Sequence, residues 1–159
     1  MDIDEFQIVK MTEEYAALVS KWKYEDEYSF YDHNENDINS YLCDEYFACV
    51  NNCGELIGYF CFGQDARIPT VEKDPYVGDF LDIGLGLKPD LCGLGFGPAF
   101  LEKGLKYAES LFNTKSFRLS VAVFNVRAIK VYEKAGFYID REVTNSYYGN
   151  KFVIMIKED

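Results

Sequence analysis

Residues 80–98 read Phe-Leu-Asp-Ile-Gly-Leu-Gly-Leu-Lys-Pro-Asp-Leu-Cys-Gly-Leu-Gly-Phe-Gly-Pro, an apolar run that passes directly into alternating glycines. The apolar part, Phe80 to Leu87, predicts a strand that stops before Lys88-Pro89-Asp90. Pro98 opens a helix to Phe112, because proline is tolerated in a first helical turn, where its missing N–H is not needed. Gly93, Gly95 and Gly97 therefore lie between a strand and a helix N-terminus. Without Cβ atoms their N–H groups can approach an anion, and the helix end adds partial positive charge. A phosphate suits this arrangement, and a turn without a ligand is an equally good reading of the glycines alone. Two phosphate motifs are excluded by spacing. A GxGxxG fingerprint fails at Pro98 or Phe100, and no Gly-Lys-Ser/Thr run exists. Gly84 and Gly86, inside the strand, mark a bulge, a close ligand or a close helix crossing.

The rest of the chain alternates in the same way. Phe6 to Val9 predicts a strand, and Thr12 caps a helix to about Tyr24 whose apolar face is Tyr15, Leu18, Val19 and Trp22. Residues 25–45 are irregular and polar, with a short helix around Asp37 to Leu42. Tyr46 to Val50 and Leu56 to Phe62 form a hairpin around Asn51-Asn52-Cys53-Gly54. Phe117 to Phe124 is a strand, Val126 to Ala135 a helix, and Phe137 to Val143 with Lys151 to Ile156 the last two strands. This order in 159 residues, without repeat or linker, predicts one α/β domain over residues 1–159.

Charge narrows the partners. Sixteen basic residues against 27 acidic ones give a net charge of −11, the wrong sign for binding nucleic acid. Five cysteines without a CxxC pair, and His33 as the lone histidine, give neither a zinc site nor a disulfide framework, so no metal is expected. His33 reads as a surface residue. The acidic start is unlike a signal peptide, and no run nears the roughly 20 apolar residues that span a bilayer. A cytoplasmic chain without a membrane partner is the expectation.

A second constellation lies downstream. Asn125 is placed to cap the helix that follows, Ala128 and Tyr132 share a face with it, and Gly136 ends the helix before Phe137. Alone, this is an N-capped helix with a buried tyrosine. Together with the run from Asp82 to Gly97, it resembles the GNAT superfamily of acyl-CoA-dependent N-acetyltransferases.

The resemblance implies a central mixed, mostly antiparallel sheet flanked by helices, with acetyl-CoA as co-substrate. It assigns the pantetheine arm to the main chain of Leu85 and Leu87 and the pyrophosphate to Cys92, Gly93, Leu94, Gly95, Gly97 and Pro98. Cys92 stands where the family usually has Gln or Arg. Asn125 and Ala128 meet the cofactor arm, Lys130 its terminal phosphate, and Tyr132 matches the tyrosine that protonates the departing thiolate. Lys88, Lys103 and Lys106 also lie in or beside these segments. Asp79 and Asp82 flank the strand where the family's base is often found, although the commonest base position falls nearest Leu81. Solvated strand-end carboxylates are the alternative for both. Trp22, Tyr24, Tyr28 and Tyr31, among Glu25, Asp26, Glu27 and Asp32, fall in the family's acceptor region, where aromatic faces and carboxylates favour a cationic amine. A solvated acidic loop whose aromatics cover the core fits those residues equally.

The expected activity is direct acetyl transfer from acetyl-CoA to a primary amine, on a small molecule or a protein. No Cys-His pair or GxSxG element offers a covalent nucleophile. The alternative is a catalytically silent acyl-CoA-binding sensor or interaction module on the same fold. Dimers are common in the superfamily, which makes a homodimer an expectation.

Overall fold

A computed structural model describes residues 5–32 and 35–158; His33 lies outside the described residues. Among these described residues seven strands run in the order β1-β2-β3-β4-β5-β7-β6. They are β1 (Gln7–Lys10), β2 (Tyr46–Val50), β3 (Leu56–Phe62), β4 (Leu81–Leu87), β5 (Phe117–Ala122), β6 (Tyr138–Thr144) and β7 (Lys151–Lys157). The sheet is mixed: β4 and β5 pair in parallel, whereas β1 with β2, β2 with β3, and β7 with both β5 and β6 pair antiparallel. Among the described residues three α-helices accompany it, α1 (Glu13–Ser20), α2 (Gly97–Phe112) and α3 (Val126–Lys134). By its contacts the chain forms two compact units, residues up to Cys61 with Leu85–Gly104, and Phe62–Gly84 with residues from Leu105 onward.

In the first unit the Thr12 hydroxyl accepts the Tyr15 N–H at 3.2 Å, capping α1 as its sequence predicts. Ala16 and Val19 pack with Trp22, Tyr41, Ala48 and Leu56. The helix stops at Ser20 and not at Tyr24, because Lys21 and Trp22 donate to the carbonyls of Leu18 and Val19. These three-residue bonds tighten the last turn and send the indole into the core. The irregular segment contains 3-10 turns at Asp26–Tyr31 and Glu35–Tyr41. Phe100 of α2 stacks on Phe60 with ring centroids 4.6 Å apart.

In the second unit β7 is buried from Phe152 to Ile156, as a strand covered on both faces must be, whereas β6 is exposed over its first five residues. The connection before β4 is tied to the β6–β7 turn. Val71 donates to the Thr144 carbonyl, Ser146 to that of Pro69, and the Glu72 carboxylate takes the Thr144 N–H. Among the described residues no helix is long and apolar enough to cross a membrane.

Candidate functional site

The run after β4 is the most distinctive piece of backbone. A 3-10 turn, Pro89–Leu91, leads to Cys92, and α2 begins at Gly97. Gly93 and Gly95 have φ of +75° and +87°, the left-handed region that glycine adopts without a Cβ clash. Backbone that enters this region repeatedly turns successive N–H groups toward one concavity. Residues 92–95 form a turn that closes on Phe96, and among the described residues the N–H groups of Gly93, Leu94, Gly95 and Gly97 make no hydrogen bond. A Cβ built on Gly95 would touch nothing within 4 Å, so the space in front of it is open. Consecutive donors at the head of a 16-residue helix fit a diphosphate. Pro98, which has no N–H, follows as an exposed residue.

β4 itself carries the next feature. Its parallel register with β5 consists of Leu81 with Phe117 and Asp82 with Arg118, and stops there. Gly86 is explained by packing within the first unit. A Cβ on Gly86 would lie 2.2 Å from Tyr59 Cε1 and 2.8 Å from its hydroxyl, so the neighbouring ring occupies that face. Leu85 and Leu87 are half-buried. The Leu87 carbonyl accepts the Tyr24 hydroxyl at 3.0 Å and the Cys92 thiol at 3.6 Å. Cys92 also reaches the Lys88 carbonyl at 3.6 Å, so its side chain turns back toward β4.

The strand-edge carboxylates differ sharply. Asp79 is exposed. Asp82 is 4% exposed and takes three guanidinium bonds: Arg118 Nε at 2.6 Å, Arg118 Nη2 at 2.9 Å and Arg67 Nε at 2.8 Å. Tyr76 supports both arginines, which lie 5.3 Å and 5.0 Å from its ring centroid, and its hydroxyl bonds Ser120 at 2.6 Å. The three bonds hold both arginines in place and use most of the roughly four lone-pair sites of the carboxylate.

On α3, Asn125 Oδ1 accepts the Ala128 N–H at 3.2 Å, and Gly136 ends the helix with φ of +104°. Tyr132 is half-buried and lies edge-on to Phe137, centroids 6.1 Å apart. Lys130 and Lys106 are exposed. Lys103 is committed elsewhere: its ammonium donates to the Phe6 carbonyl and sits 4.3 Å from the Phe6 ring centroid. Among the described residues no group of His, Cys, Asp and Glu could hold a metal ion.

Of the four acceptor-segment aromatics, Trp22 is 8% exposed and packs 6.3 Å from Tyr59, which gives its ring to the core. Tyr24 is fixed by its bond to Leu87. Tyr28 and Tyr31 are half-buried, Tyr31 edge-on to Phe30 at 5.3 Å.

Comparison with known proteins places this geometry. The model of the acetyltransferase (GNAT) family matches residues 8–137. The chain belongs to the GNAT family. An N-alpha-acetyltransferase of Sulfurisphaera tokodaii is 28% identical over 155 residues, covering 94% of this chain and 81% of that protein. A GNAT acetyltransferase structure from Bacillus anthracis superposes with a TM-score of 0.72 at 15% identity, covering 96% of this chain and 93% of that one. A chimera of the Vibrio cholerae spermidine N-acetyltransferase and hSSAT gives 0.69 at 17% identity, covering 97% and 95%. The protein is thus a GNAT acetyltransferase, of a family that generally uses acetyl-CoA.

Against this GNAT background, the sequence reading missed Arg67, Tyr76 and Arg118. Arg118 had a signal: a charged residue inside the apolar strand Phe117–Ala122 demands a buried partner. Arg67 and Tyr76 had none, since they lie in a connection without regular pattern.

Proposed function

We propose that this GNAT protein, as one domain over residues 1–159, moves an acetyl group from acetyl-CoA to a primary amine by direct transfer in a ternary complex. The observation that carries the proposal is the set of four N–H groups, of Gly93, Leu94, Gly95 and Gly97, without a hydrogen bond among the described residues. These donors and the head of α2 hold the pyrophosphate, and Leu85 and Leu87 line the pantetheine arm. Acetyl-CoA, when bound, supplies the activated thioester carbonyl.

The protein's own residues handle protons. A primary ammonium must lose one before it can attack a carbonyl, and the exposed Asp79 is the carboxylate able to pass it to water. Asp82 acts differently, holding Arg118 and Arg67 and through them the start of β4. Tyr132 has a phenolic proton to give to the leaving thiolate, and Asn125 fixes the first turn of the helix that carries it. Lys130 is exposed on that helix for the terminal phosphate. Tyr28 and Tyr31 offer ring faces to a cationic acceptor, beside exposed Glu25, Asp26, Glu27 and Asp32.

The engagement of Asp82 favours one competing reading, an acyl-CoA-binding module without turnover. Incubation with acetyl-CoA and a panel of amines, followed by thiol titration, separates the two. Acceptor-dependent thiol release supports the transferase; binding without release supports the module.

A further inference from the structure

Three segments of the first unit meet at one carbonyl. Leu87 ends β4, two residues before the 3-10 turn that leads into the glycine run is under way. Its oxygen accepts the Tyr24 hydroxyl at 3.0 Å and shares the single Cys92 S–H with the Lys88 carbonyl, each 3.6 Å from the sulfur. Cys92 is the residue from which the glycine run departs. At the other end, the Tyr24 N–H donates to Asp32 Oδ1 at 2.6 Å, closing the acidic segment around the turn Asp26–Tyr31. The phenol therefore spans from that segment to the base of the run. Burial, and secondarily the nearby Cys92, push its pKa well up, so it remains a donor at neutral pH.

We propose that Tyr24 is a positioning residue: through the Leu87 carbonyl, and jointly with Cys92, it fixes the entry to the glycine run so that the N–H groups of Gly93, Leu94, Gly95 and Gly97 face a diphosphate in one geometry. The proposal rests on reading that run as the acyl-CoA cradle. Anchoring matters because glycine-rich backbone has many conformations to lose, and each donor held out of place is one fewer for the anion. The carbonyl has two lone pairs, so either donor alone still tethers it. Cys92 then has a physical reason to stand where a longer polar side chain is usual: a short thiol reaches back to β4.

The test uses the full chain with Tyr24→Phe, which keeps the ring, and with Cys92→Ala and Cys92→Ser. Tyr24→Phe should raise the KM for acetyl-CoA roughly five-fold, the loss of one ordinary hydrogen bond, while kcat changes less. Cys92→Ala should raise it about two-fold, as a weaker thiol donor implies, and Cys92→Ser should restore it. The double variant Tyr24→Phe/Cys92→Ala should exceed the product of the single effects, because it removes both donors from one oxygen. An unchanged acetyl-CoA KM, a purely multiplicative double variant, or an effect confined to the amine KM overturns the proposal. Amide hydrogen exchange of Lys88, Leu91 and Cys92, whose N–H groups bond the Ile57, Lys88 and Pro89 carbonyls, provides a readout independent of turnover in the free protein. Faster exchange in Tyr24→Phe supports the anchor, and unchanged exchange overturns it. If the wild type binds no acetyl-CoA while exchange responds as expected, the cradle reading fails and the anchor stands.

Discussion

Replacing Asp82 by Asn separates a holding role from a catalytic one. The substitution keeps the side-chain volume but leaves two guanidinium groups facing each other across a neutral amide, with Arg118 only 2% exposed. Removing one partner of a buried ion pair costs about 3–5 kcal/mol, because the remaining charge stays buried. Arg67, with about a third of its side chain exposed, can turn toward water, which places the cost near the lower bound of about 3 kcal/mol. For a chain of this length each kcal/mol lowers Tm by about 2–4 °C, so Asp82→Asn should melt roughly 10 °C below wild type. Arg67→Gln, which relieves the excess of positive charge, should shift Tm by no more than about 2 °C. Thermal unfolding followed by circular dichroism measures both. Steady-state rates at 20 °C, where the variant remains folded, complete the test: kcat should stay within about ten-fold of wild type, with an unaltered pH profile. An Asp82→Asn protein that melts within about 2 °C of wild type and loses about 100-fold in kcat would refute the reasoning and make Asp82 the base.

Tyr132→Phe should reduce kcat by 10²-fold or more, about the contribution of a positioned general acid, with acetyl-CoA affinity by calorimetry nearly unchanged. Gly95→Ala puts a side chain at φ of +87° and should cost about 1–2 kcal/mol of stability, read as a lower Tm, while weakening acetyl-CoA binding. Gly86→Ala forces a Cβ against the Tyr59 ring and should cost about 1–3 kcal/mol in a denaturant titration; Tyr59→Leu in the same background should recover part of it. Burial raises the pKa of Tyr59 well above its ordinary 10.0 and that of Cys49 above 9.0. Each group releases its proton more readily in the unfolded chain, so stability is complete below pH 9 and should fall as pH rises beyond it, with Tm measured from pH 7 to 11.

Element order was readable because the chain marks its own boundaries. Thr12 and Asn125 cap helices through their side-chain oxygens, Gly136 ends α3 in the left-handed region, and Asn51 to Gly54 turn the β2–β3 hairpin. The glycines from 93 to 97 marked a turn between strand and helix, with or without a ligand, and the positive φ of Gly93 and Gly95 shows why glycine is needed there. What stayed hidden depends on distant partners. Asp82 looks like a strand-end carboxylate until Arg118, 36 residues away, and Arg67, 15 residues away, converge on it. Trp22 continues the helical spacing of α1, yet the helix has ended before it and the indole turns inward. Gly86 is open to several readings in one dimension, and only the Tyr59 ring on the adjacent strand decides among them.

The most direct test of direct acetyl transfer is the initial rate of thiol release with acetyl-CoA and an accepted amine varied together. Transfer in a ternary complex predicts release that requires the amine and double-reciprocal lines that intersect. Parallel lines would contradict it by indicating a covalent intermediate, and acetyl-CoA binding without amine-dependent release would contradict catalysis itself.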